Sequence, residues 1–171
     1  MRAEHEERAP LLVLGLGNLL LGDDGAGLAL LEELRRERGH AAQLEFVDGG
    51  TQGLALLGLV EGRRALLVLD AVALHAPPGS VHHLRDPLRQ AAEAGSTAHE
   101  SSASSLLAAA RLLDVLPERV EIVGIEPGEL STRIGLSRAV REALPRARER
   151  AEGVLDEWCA NLRRGELACT S

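Results

Sequence analysis

The segment Leu11–Gly27 reads LLVLGLGNLLLGDDGAG, and its reading decides the fold. Leu11–Gly15 (LLVLG) is a continuous apolar run of strand length, the pattern of a strand covered on both faces. Past Asp23 and Asp24 the spacing changes: Leu28, Leu31 and Leu34 recur at helical intervals, so a helix is expected over roughly Gly25–Arg38. A buried strand, a glycine-rich loop and a helix in that order open a β-α-β unit.

The same alternation continues outward. Leu44–Val47 reads as a second strand ending at Asp48-Gly49-Gly50, followed by a short helix over Gly53–Val60. Ala65–Leu69 (ALLVL) is apolar throughout, as a central strand of a parallel sheet should be. Val81–Leu84 follows the turn-like Pro77-Pro78-Gly79-Ser80. The connection from the third strand is too short for a crossover helix, so this fourth strand is expected to run antiparallel. Leu106, Ala110 and Leu113 mark another helix, and Val120–Ile125 (VEIVGI) the last strand. Ser137 is placed to cap a final helix that Pro145 should kink, with Ala151, Val154, Leu155, Trp158 and Leu162 along one stripe. The expected fold is α/β: a three-layer doubly wound sandwich with a mostly parallel, roughly five-stranded twisted sheet. All 171 residues are expected to form a single domain, with residues 1–10 and 165–171 as flexible tails.

Composition narrows the function. Aromatic residues are 1 % and the formal net charge is −7, which argues against base-stacking modules and against a broad basic surface for nucleic acid. The cluster Arg141, Arg146, Arg148 and Arg150 is interleaved with acids and reads as a solvated helix face. Two cysteines, Cys159 and Cys169, make no disulfide framework in a chain of this length, so a reducing compartment is expected. The first apolar run contains Asn18 and meets two aspartates without a small-residue cleavage site, so it reads as a strand and not a signal peptide. The protein is expected in the cytoplasm, without membrane insertion.

Sites in doubly wound sheets lie outside the carboxyl ends of the strands. The loop after the first strand fails as a dinucleotide fingerprint, because the third glycine would fall on Leu20, and its acidic pair would repel a pyrophosphate. Asp23 and Asp24 precede a helix and suit N-capping, but two adjacent carboxylates exceed what capping needs. Asp70 ends the run ALLVLD, where an unpaired buried charge is costly. Its plain alternative is a hydrogen-bonded turn at a strand end. His99 lies just before the helix expected to begin near Ser102, where a lone histidine is ordinarily a surface residue. His5, His40, His75, His82 and His83 fall in a terminus, turns or an edge strand, with no acidic partner expected at strand ends. Asp24, Asp70 and His99 together offer two oxygens and one imidazole nitrogen, a set suited to a borderline divalent transition metal with open positions.

The segment Gly15–Gly27 resembles the N-terminal signature of the hydrogenase maturation protease family, whose members process the large subunit of nickel–iron hydrogenases. Asp48-Gly49-Gly50-Thr51 resembles that family's glycine loop, Asp70-Ala71 its strand-three aspartate and His99 its loop histidine. Val123–Pro127 and Ile134–Ser137 resemble its late motif. The resemblance spans roughly residues 11–145. It implies an endopeptidase acting on the hydrogenase large subunit precursor, with Asp24, Asp70 and His99 contacting nickel and Asp48–Thr51 contacting substrate. The nickel is expected to arrive with the substrate, as a recognition mark or as an activator of carbonyl and water. The protein is expected to act as a monomer.

Three other readings remain open. Asp24 and Asp70 could form an aspartic dyad, which needs two carboxylates sharing a proton. A non-enzymatic nickel chaperone would use the same donors but hold metal alone. Peptidyl-tRNA hydrolases share a GLGN opening, but need an RNA-facing basic surface. No Ser-His-Asp or Cys-His arrangement is evident: Ser101, Ser102, Ser104 and Ser105 read as caps or exposed positions.

Overall fold

The computed structural model describes residues 8–93, 102–128 and 130–165. In chain order these form β1 (Leu11–Leu16), α1 (Ala26–Arg38), β2 (Leu44–Gly50), α2 (Leu57–Val60), β3 (Ala65–Ala71), β4 (Val81–Arg85), α3 (Pro87–Glu93), α4 (Ser102–Leu112), β5 (Arg119–Ile125) and α5 (Arg138–Arg164). Short 3-10 turns at Gly22–Gly25 and Gly53–Leu56 lead into α1 and α2.

The strands form one sheet in the order β2-β1-β3-β5-β4. All neighbours are parallel except β4, which runs antiparallel to β5 as its short connection requires. Every residue of β1 is buried. The two-residue period divides the strand: Leu11 and Val13 join a core beneath α1 and α5, while Leu12, Leu14 and Leu16 join one beneath α2 and α4. Each fully buried leucine contributes about 1.5–3 kcal/mol of transfer free energy, so aliphatic side chains supply most of the core. Trp158, on α5, is wholly buried in the first of these cores, with Ala151, Val154 and Leu155 on the expected stripe.

The first loop owes its glycines to packing. A Cβ on Gly27 would lie 2.3 Å from the Leu69 carbonyl oxygen and 2.5 Å from that of Leu16. The N-terminus of α1 therefore sits directly against the carboxyl ends of β1 and β3. Gly17 has φ +130°, and a Cβ there would lie 1.9 Å from the Asp24 carbonyl oxygen. These contacts bring the Asp23–Asp24 turn back over the sheet edge.

Several expectations need correction. Residues 8–10 are not a tail: Pro10 O accepts from Arg64 N at 2.8 Å, Arg63 Nη1 donates to Ala9 O at 2.6 Å, and Arg8 Nη1 to Gly58 O at 2.7 Å. Gly165 takes a left-handed conformation (φ 72°) and caps α5 through its N–H, so it too belongs to the body. Helix α3 was not anticipated. Its signal was Asp86-Pro87, a proline at the first helical position after a residue whose Oδ1 accepts from Arg89 N at 3.4 Å. Residues 1–7 and 166–171, including Cys169, lie outside the described residues. Among the described helices, none is long and apolar enough to cross a membrane.

Candidate active site at the carboxyl edge of the sheet

Asp70 is the penultimate residue of β3 and is only 5 % exposed. Leu66 and Val68 pack in the core shared with Ala103 and Leu106 of α4, and Asp70 continues that face of the strand. Ala71 N donates to Asp70 Oδ1 at 2.8 Å, the one hydrogen bond to this carboxylate among the described residues. Burial raises its pKa, the Ala71 N–H pulls it back, and the charge of Asp24 raises it further, leaving it at about 7. Asp24, in the 3-10 turn between β1 and α1, thus lies near enough to Asp70 at the end of the adjacent strand β3 for its charge to bear on that carboxyl. A carboxylate this buried and under-bonded, beside a second carboxylate, is a place where a cation relieves both the desolvation and the repulsion.

The acidic pair divides its roles sharply. Asp23 is fully buried, and its Oδ2 accepts from Gly128 N at 2.8 Å and its Oδ1 from Ser137 N at 2.6 Å. Asp24 is half-buried. The expected capping role fails for both, because neither the turn at Gly22 nor α1 has a side-chain cap hydrogen bond. Asp23 instead clamps the loop after β5 to the loop after β1. Ser137, held by that clamp, caps α5 as expected, its Oγ accepting from Val140 N at 3.4 Å. Asp24 is left as the carboxylate free to face Asp70.

Two further polar groups went unrecognised. Glu126, just beyond β5, is 4 % exposed, and its Oε2 meets His82 Nε2 at 2.7 Å and accepts from Leu74 N at 2.9 Å. Burial pushes its pKa up, but the N–H groups of Leu74 and Ala76 and the His82 ring outweigh that and hold it below the usual carboxylate range. It fixes the chain leaving Asp70. His83 similarly contacts Glu121 across β4 and β5. The expectation of no acidic partner at the strand ends is therefore wrong for His82, whose partner Glu126 lies just past β5, while His83 pairs with Glu121 within β5. Pairing across an antiparallel ladder, His82 opposite Gly124 and His83 opposite Val123, places each beside an acid on β5 or just past it. The alternating pattern of β4 and the polar end of VEIVGIE carried that signal.

The loop Asp48-Gly49-Gly50-Thr51 ends β2, next to β1. Asp48 Oδ1 accepts from Gly50 N at 3.0 Å, closing its own turn, and Gly50 O accepts from Gly17 N at 3.0 Å. Gly49 is buried, and a Cβ there would meet Leu14, Leu16 and Leu56 at 2.9 Å. Asp48 and Thr51 are exposed. Two of the four residues thus shape the loop, and two face outward.

His99 lies outside the described residues. It precedes α4 in the chain, the helix packed over the face that Asp70 shares. Among the described residues, no three His, Cys, Asp or Glu side chains gather as a metal cluster.

Comparison with known proteins gives one answer. Residues 28–154 match the profile of the family described as hydrogenase maturation protease (HycI), a stretch that includes Asp70 and His99 and begins just after Asp24. The hydrogenase expression/formation protein HoxM of Cupriavidus necator is 33 % identical over 152 residues, covering 86 % of this chain and 75 % of that protein. The hydrogenase 2 maturation protease of Escherichia coli is 33 % identical over 149 residues, covering 86 % and 91 %. The solved structure of the hydrogenase maturating endopeptidase HybD from E. coli superposes with a TM-score of 0.74 at 30 % identity, covering 86 % of this chain and 92 % of that one. With its five-stranded sheet, its glycine-packed first loop and its paired carboxylates at the sheet edge, the chain belongs to the hydrogenase maturation protease family and is a peptide hydrolase.

Proposed function

We propose that this enzyme removes the C-terminal extension of a nickel–iron hydrogenase large subunit precursor after nickel has been inserted. In this reading Asp24, Asp70 and His99 contact nickel carried by the substrate, and the exposed Asp48 and Thr51, on the loop shaped by Gly49 and Gly50, contact the polypeptide around it. Family membership disfavours the chaperone and peptidyl-tRNA hydrolase readings.

One observation carries the proposal: a buried carboxyl with a pKa near 7 stands beside a second carboxylate, both at the edge where doubly wound sheets bind ligands. Oxygen donors and an imidazole suit nickel in an incomplete shell. Three protein donors without a fourth hold a free ion weakly, so the metal is expected to come with the precursor. Bound there, it would mark a finished substrate and polarise the scissile carbonyl or its attacking water. With a pKa of about 7, Asp70 is also part-protonated at neutral pH, as the shared proton of an aspartic dyad would require. The two readings differ in whether substrate nickel is needed. We assign the reaction to the reducing cytoplasm and to a monomer.

The test is tail removal from nickel-loaded precursor, followed by mass spectrometry. Asp70→Ala and His99→Ala are expected to leave the precursor intact while circular dichroism stays that of the wild type. Full processing by either variant would overturn the assignment.

A further inference from the structure

Among the described residues, nine large hydrophobic side chains are exposed, and seven of them lie on loops at the carboxyl edge of the sheet. Leu19, Leu20 and Leu21 follow β1 and are 56 %, 60 % and 37 % exposed; Leu130 and Ile134 follow β5 and are 59 % and 83 % exposed. Scattered surface leucines need no explanation, but several on adjoining loops around one site do.

These two loops are one surface. Gly22 N donates to Arg133 O at 2.8 Å and Arg133 N to Leu20 O at 2.9 Å, with Leu21 and Arg133 forming a bridge. The Asp23 carboxylate binds Gly128 N and Ser137 N from beneath. Backbone hydrogen bonds thus tie the loop of Leu19–Leu21 to the loop of Leu130 and Ile134 as one shelf, which lowers the loop entropy that an apolar group docking there must overcome. The shelf also runs straight into the site. Asp24 comes three residues after Leu21, and a Cβ on Gly25 would touch Leu19 Cδ2 at 3.1 Å. Whatever covers the shelf also covers the Asp24–Asp70 edge. A second copy of this chain would block the enzyme, whereas the precursor must cover both to be cut.

We infer that the shelf of Leu19–Leu21, Leu130 and Ile134 docks an apolar, uncharged patch of the precursor protein beside its nickel, with the metal contacts supplying the trigger and the shelf much of the affinity. This rests on the reading that the substrate is a nickel-bearing hydrogenase precursor. Buried apolar anchors at the centre of an interface carry most of its affinity, so placing charge there is costly.

The experiment measures steady-state processing of nickel-loaded precursor by the wild type and three double variants. Leu20→Glu with Ile134→Glu is expected to raise KM at least about tenfold while kcat stays within about twofold. Leu20→Ser with Ile134→Ser should raise KM less, and shows the effect is not charge repulsion alone. Leu112→Glu with Leu113→Glu places the same charges on exposed leucines at the end of α4, which leads into the start of β5 at the opposite, amino edge of the sheet, and should leave KM unchanged. Wild-type KM in the first variant, or an equal rise in the Leu112/Leu113 control, would overturn the inference. So would a wild-type dimer in sedimentation that the first variant dissolves, since the shelf would then be a self-association surface. Failure of the wild type to cut the precursor at all would instead sink the functional reading beneath it.

Discussion

Replacing Asp70 with asparagine should make the protein more stable and inactive at once. The Asp70 carboxyl is raised from 3.8 to about 7, and each unit is about 1.4 kcal/mol, so ionised Asp70 costs the native state up to about 4 kcal/mol. The sign follows from proton binding. Between pH 3.8 and about 7 the native state holds the proton that the unfolded chain has released, so stability falls as pH rises through that window and levels off above it. Asparagine mimics the protonated acid, and its Oδ1 still accepts from Ala71 N. Asp70→Asn should therefore match the wild type near pH 4 and exceed it by up to about 4 kcal/mol at pH 8, a melting-point gain of roughly 8 °C or more. Urea unfolding of both proteins across pH 4–8 reads the difference directly. A gap that does not change with pH, or a less stable variant at pH 8, would refute the argument that Asp70 is held at the edge against its own solvation. Active sites commonly trade stability for function in this way.

Perturbations at three other positions separate scaffold from chemistry. Asp23→Ala strands the N–H groups of Gly128 and Ser137 and should cost about 3 kcal/mol in urea unfolding, with Asp23→Asn costing about half as much because one acceptor remains. Asp24→Asn should leave stability unchanged or improved, since it removes a charge that opposes Asp70, yet reduce processing severely; the reverse order in the cleavage assay would mean the pair is misassigned. Gly27→Ala drives a methyl into the carbonyl oxygens of Leu69 and Leu16 and should cost more than about 3 kcal/mol or prevent soluble expression; a near-neutral effect on melting would contradict the close approach of α1 to the sheet.

How much the sequence revealed depended on range. Runs such as LLVLG and ALLVL declare central parallel strands because both faces are covered, and β4 declared its direction through the shortness of its connection. Asp70 stood out because a charge at the end of five apolar residues is expensive without a reason. The family resemblance assigned the metal contact to Asp24, but the clamping role of Asp23 was illegible, because its partners lie 105 and 114 residues away and no local pattern encodes them. Glu126 was hidden for the same reason: His82, 44 residues before it, becomes its neighbour only once β4 pairs with β5. Local chemistry marked the candidate metal contacts, while the buried groups that hold them in place appeared only with the fold.

The most direct test of the account is cleavage of two forms of one precursor, nickel-loaded and nickel-free, by protease first treated with chelator and freed of it. The tail should leave the loaded form alone, at a rate unaffected by the chelator treatment. Equal cutting of both forms would contradict it, and would leave Asp24 and Asp70 to act as a self-contained acid pair.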